Sequence, residues 1–179
     1  MVPKGVFLTK GAGFSREKLA SFEQALKDAG ISHLNLVEVS SILPPACKLI
    51  TKGKGLRNFR HGEIVYCVLS RNQSNENHRM IGASVGLAIP ANKNDYGYLS
   101  EHHSFGGSKQ EVGDYAEDLA ASMLGSSLGL EIDVDAAWDE KKEIYRISGK
   151  IVYTRNVTQT VACKKNGWTT VIAAAVFVF

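Results

Sequence analysis

Two adjacent serines, Ser40 and Ser41, end an apolar run and are followed closely by Pro44-Pro45 in the stretch VSSILPP (39–45). A serine hydroxyl can attack the carbonyl of the residue before it and turn that amide into an ester. Elimination from the ester leaves dehydroalanine, and then a pyruvoyl group that blocks a new amino terminus. Such a rearrangement needs a strained, well-held peptide bond, because backbone strain persists only where its surroundings enforce it. A strand before the pair and Pro44-Pro45 after it would provide that hold. Leu43, preceding proline, is itself pushed to an extended conformation. The competing reading of the same residues is a structural turn.

Other constellations are weaker. The glycines of KGAGFSR (10–16) lie between a predicted strand and a predicted helix, where a helix N-terminus can bind phosphate. Neither a complete P-loop nor a dinucleotide fingerprint is present, so a tight turn is the expectation. His102 and His103 are adjacent and in a strand point to opposite faces, so they do not ligate one metal together. Cys47, Cys67 and Cys163 fit no metal spacing, and no metal is expected.

The elements that must position the serines read as follows. GVFLTKGAG (5–13) is a first strand ending in a glycine turn. SREKLASFEQALKDAG (15–30) is a helix with Ser15 as N-cap and Gly30 at its C-terminus. HLNLVEV (33–39) is a second strand running straight into Ser40. TKGKGLRNFRH (51–61) reads as a solvated basic loop. Strands are expected at 63–71, 80–90 and 95–103, with polar NQSNENH between the first two. Ser108 and Glu111 form a capping box for a helix whose apolar stripe would be Val112, Tyr115, Leu119 and Met123. Long strands at 144–158 and 168–179 close the chain, the last apolar enough to lie in a sheet covered on both faces. The interleaving implies an α+β or layered α/β arrangement.

The 179 residues suit one domain. A net charge of +3, from 21 basic and 18 acidic residues, is too small and dispersed to argue for nucleic acid. No window is long and apolar enough to span a bilayer, and three cysteines without a leader fit a reducing, cytoplasmic setting.

NLVEVSSILPP (35–45), ASVGLAIP (83–90), YGYLSEHH (96–103) and WTTVIAAAV (168–176), in this order, resemble the pyruvoyl-dependent arginine decarboxylase family along essentially the whole chain. The resemblance implies a four-layer αββα sandwich and self-cleavage between Ser40 and Ser41. The products would be a 1–40 β fragment and a 41–179 α fragment, with Ser41 converted to the pyruvoyl group. It further implies conversion of L-arginine to agmatine and carbon dioxide through a Schiff base. Glu101 would be the proton donor, Glu23 the anchor for the substrate cation and Asn35 a hydrogen-bonding residue near the site. To donate at neutral pH, Glu101 should have a pKa raised by burial or a neighbouring carboxylate. Glu23 stands where the family pattern admits aspartate, and its i,i+4 spacing to Lys27 equally fits a plain surface pair. In an extended strand Asn35 and Ser41 would lie about 20 Å apart. One small substrate therefore needs a bend in the chain or a site between subunits, and the resemblance implies a homotrimer, with higher assembly open. The rival readings are a decarboxylase of another amino acid and an unprocessed, non-catalytic binding or assembly protein.

Overall fold

The computed structural model describes residues 1–130, 140–142 and 148–179. The elements in chain order are β1 (Gly5–Ser15), α1 (Lys18–Ala29), β2 (Asn35–Glu38), β3 (Ile42–Leu43), β4 (Lys48–Leu49), α2 (Lys52–Leu56), β5 (Ile64–Ser74), β6 (Met80–Pro90), β7 (Gly97–Phe105), α3 (Lys109–Ser127), β8 (Ile151–Ala162) and β9 (Trp168–Val178). They form a five-stranded sheet, β2-β5-β9-β1-β4, and a four-stranded sheet, β3-β7-β6-β8.

The layering follows from period-two alternation along the central strands. In β9, Val171, Ala173, Ala175 and Phe177 face the seam between the sheets, with Val85, Leu87 and Leu99 opposite. Ile172, Ala174, Val176 and Val178 face the other way, against Ala25, Leu26 and Ala29 of α1. Helix α3 covers the outer face of the second sheet, with Ala120, Ala121 and Leu124 against Ala88 and Ile151. The order is helix, sheet, sheet, helix: the αββα sandwich expected from the sequence. The apolar 168–179 segment is indeed a strand buried on both faces.

Three sequence readings are corrected. The glycines of KGAGFSR do not make a turn. Strand β1 continues through them to Ser15, and α1 starts at Lys18 with Glu17 as its N-cap and no side-chain cap. Gly11 and Gly13 are there for steric reasons. A Cβ on Gly11 would run into the Ala25 carbonyl and the Ala29 amide, and one on Gly13 into the Ser21 carbonyl. Helix α1 thus lies against the strand backbone, where Thr9 Oγ1 donates to the Ala29 carbonyl (2.7 Å) and Ser21 Oγ meets Thr170 Oγ1 (2.6 Å). Asp28 accepts from the Ala12 amide (2.9 Å), covering part of an edge of β1 that β4 leaves unpaired.

The second correction concerns α3. Its capping box is present, with Ser108 and Glu111 exchanging bonds of 3.2 and 2.6 Å. Its buried face, however, is Val112, Gly113, Ala116, Ala120, Ala121 and Leu124, while Tyr115 and Leu119 are exposed. The sheet beneath is floored by Gly82, Ser84, Gly86 and Ala88, so small residues mesh with small residues and large ones are turned away. Third, the basic 51–61 stretch contains α2, capped by Thr51, with Gly55 packed on the Phe7 ring. The strand expected from 144 begins at Ile151; residues 144–147 lie outside the described residues. Among the described residues no helix is long and apolar enough to cross a membrane.

Gly11→Ala should therefore destabilise the fold by about 1–3 kcal/mol, the usual cost of overpacking a close contact. Thermal denaturation of the variant checks this, with Gly53→Ala as control, because a Cβ at Gly53 meets open space.

Candidate active site

Strand β2 belongs to one sheet and β3 to the other. β2 pairs in parallel with β5 (Glu38↔Cys67), and β3 pairs antiparallel with β7 (Ile42↔Tyr98). Residues 39–41 are the crossing, so the Ser40–Ser41 peptide spans the step from sheet to sheet. Each side of the step is tied down. The Val39 amide donates to the Cys67 carbonyl at 2.9 Å, and the Leu99 amide donates to the Ser41 carbonyl at 2.7 Å. The Ser40 carbonyl turns back to accept from the Ile42 amide at 3.0 Å. Beyond β3, Pro44 to Cys47 form a tight turn (Cys47 amide to Pro44 carbonyl, 3.1 Å) with Ala46 at φ 58°. A residue with a Cβ is held there in left-handed backbone, which costs roughly 1–2 kcal/mol.

Ser40 is exposed and Ser41 half-buried. A cleft of about 390 Å³ opens beside them, lined by Val39, Ser40, Ile42, Pro44 and Tyr66 and by the two chain ends at Met1 and Phe179. Phe179 packs edge-on against Tyr66, with ring centroids 5.8 Å apart.

Glu101 lies on β7 two residues beyond Leu99, on the same strand face, and is paired in register with Val85 of β6. Leu99 and His103 flank it on that face. Glu101 is still exposed in the single chain, yet its partly desolvated surroundings push its carboxyl above the usual range, and the negative Glu38 carboxylate on β2 pushes it the same way. The same two carboxylates bear on Cys67 of β5. Burial first, then Glu38 and Glu101, push that thiol up to about 12, so it stays a neutral neighbour. Glu38 is the residue that sequence reasoning passed over. It stands three residues before Ser41, but only the sheet register shows that it and Glu101 bear on one place. Of the two adjacent histidines, His102 stacks on Tyr115 of α3 at 4.3 Å, and burial lowers its pKa.

The other two sequence candidates lie elsewhere in the single chain. Glu23 sits on an exposed turn of α1, 3.5 Å from Lys27 Nζ. Asn35 begins β2, and its side-chain amide donates to the Gly62 carbonyl at 2.7 Å. Neither lines the cleft beside Ser40, nor do Glu38 and Glu101, but Glu38 and Glu101 are tied to the serine pair through the chain and through Leu99. One protomer thus brings together Ser40, Ser41, Glu38 and Glu101, and leaves Glu23 and Asn35 apart from them.

Removing the Glu38 charge should leave only burial to raise Glu101. Carboxyl-carbon NMR titration of Ser41→Ala protein should show the Glu101 midpoint falling in the Glu38→Gln double variant. An unchanged midpoint would mean that the two carboxylates do not interact.

The family model for pyruvoyl-dependent arginine decarboxylase matches residues 5–179. The chain is 54% identical to pyruvoyl-dependent arginine decarboxylase 2 of Methanosarcina acetivorans, over 99% of this chain and 98% of the relative. It is 52% identical to the pyruvoyl-dependent arginine decarboxylase of Methanococcoides burtonii, covering 99% of each. Against the Nitrosopumilus maritimus enzyme, identity is 53% over 98% and 97%. Matching along the whole fold, and carrying a doubly tied serine pair beside a carboxyl with a raised pKa, the chain belongs to the pyruvoyl-dependent arginine decarboxylase family.

Proposed function

We propose that this chain cuts itself between Ser40 and Ser41 and then converts L-arginine to agmatine and carbon dioxide. The observation that carries the reading is the Ser40–Ser41 peptide itself, strung between two sheets and tied by hydrogen bonds on both sides. The cut yields fragments 1–40 and 41–179, and residue 41 becomes the covalent pyruvoyl group that the family name specifies.

Position 41 fits that group. Its side chain carries the required β-hydroxyl, and its carbonyl is held by the Leu99 amide. When formed, a pyruvoyl group supplies a ketone that captures a primary amine and an adjoining carbonyl that draws off the electrons left by carbon dioxide. The chain's own residues do the rest. Leu99 fixes the carbonyl of residue 41. Glu101 holds a proton at its carboxyl to higher pH than an ordinary glutamate and returns it to the substrate carbon. The Glu23 carboxylate offers the planar, bidentate match for a guanidinium, which requires it to exchange Lys27 for substrate. Asn35 adds a hydrogen bond.

Glu23 and Asn35 lie apart from the serine pair in one chain, and a homotrimer with sites between neighbouring subunits accounts for this. A neighbour's helix and strand end would complete each site. The three cysteines are free and buried, which fits a reducing compartment, and we read the enzyme as cytoplasmic.

Intact mass of the purified protein should show two pieces, the larger without a free amino terminus, and Ser41→Ala should remain one chain. A wild-type chain still unbroken after long incubation would sink the self-processing reading. Glu23→Ala should raise KM for arginine roughly tenfold, the worth of one charge-assisted hydrogen bond, and leave self-cleavage at its normal rate. Equal loss of both would make Glu23 structural.

A further inference from the structure

We propose that the backbone N–H of Ile42 is the oxyanion donor for self-cleavage, a role that rests on the self-processing reading above. The bond in question is already formed in the intact chain: Ile42 N to Ser40 O, 3.0 Å. The Ser40 oxygen is the atom on which charge develops. As the Ser41 hydroxyl oxygen bonds to the Ser40 carbonyl carbon, the carbonyl π electrons move onto that oxygen. Collapse of the adduct then breaks the bond from the Ser40 carbon to the Ser41 nitrogen. The hydroxyl proton passes to that nitrogen, leaving an ester and a free amine with nothing added or lost.

Three features assign the role to Ile42 and to no neighbouring amide. The Val39 and Leu99 amides point at other atoms, the carbonyls of Cys67 and Ser41. Ile42 lies in β3, the edge strand of its sheet, and β7 takes up the other side of that strand, so the Ile42 amide has no strand partner to claim it. The bond closes a three-residue turn with Ser41 at its centre, and Ser41 is absent from the positive-φ residues, so this is the common inverse form. The turn therefore sets donor, carbonyl and attacking residue in one ring of atoms. The ties on either side keep that ring from opening. A donor between 2.7 and 3.1 Å from the developing oxyanion, fixed before reaction, is the arrangement that lowers such barriers most.

The test replaces Ile42 by its α-hydroxy analogue, which exchanges only the N–H for an ester oxygen and keeps the side chain. Cleavage at 40–41, followed by intact mass, should slow about 10²-fold or more, the usual loss for one oxyanion donor. The same exchange at Cys47 removes the nearby turn bond to Pro44 and should leave the rate at the parent value. Ile42→Pro, which also lacks the N–H, should be slow as well. Hydroxylamine distinguishes the step in Ile42→Pro, whose backbone has no ester of its own, since it splits any 40–41 ester that has accumulated. No ester should build up in Ile42→Pro. Cleavage within threefold of the parent, an equal effect at Cys47, or an accumulating ester would each overturn the assignment. A parent chain that never cuts at 40–41 would overturn the self-processing reading itself, and this role with it.

Discussion

The apolar seam between the two sheets is the constraint from which the site follows. Val171, Ala173, Ala175 and Phe177 on one side, and Ile81, Ala83, Val85 and Leu87 on the other, fix how the sheets stack. Once they are stacked, a chain that pairs first with β5 and then with β7 must step between layers in the three residues 39–41. Polar side chains reinforce the same stacking: Ser70 and Asn72 of β5 reach the His102 and Ser104 carbonyls of β7 at 2.6 and 2.7 Å. Lys10 of β1 donates to the Thr158 carbonyl of β8 at 3.0 Å. The tightness at Ser40–Ser41 is imposed by bulk packing at a distance, and the serines contribute little to it.

The same packing sets the electrostatics. Glu101 and Glu38 are on strands of different sheets and approach one another only because β2 and β7 flank the crossing. Stacking brings the Glu38 charge to bear on Glu101, with a desolvated thiol beside them. Neither residue would be unusual on an isolated strand.

Much of this was readable from residue order. Alternation along 168–179, the Ser108 and Glu111 capping box and Gly30 in left-handed backbone at the end of α1 (φ 75°) are local signals with local causes. The serine pair by itself equally fitted a structural turn, and it was the family resemblance that singled it out. What misled were residues whose role is set by a partner. Gly11 and Gly13 resemble turn formers until α1 is laid against them. Tyr115 and Leu119 look like core until Gly86 and Ala88 show that the helix must seat its small face. Glu38 carried no signal at all, because its importance lies in its approach to Glu101 on a strand of the other sheet. The family resemblance named Glu23 and Asn35, and in the single chain neither stands with the serine pair.

Strand β1 carries a last consequence. It lies inside its sheet, hydrogen-bonded along its full length to β9, while β2 is held by β5. A break after Ser40 therefore frees no part of the molecule: residues 1–40 remain woven into the sheet as its fourth and first strands. The cut product would be a tightly interlocked pair of polypeptides, and within each protomer its unfolding would release two pieces where the precursor releases one. On the proposed cut, folding would come first and the seam would be assembled as a single chain.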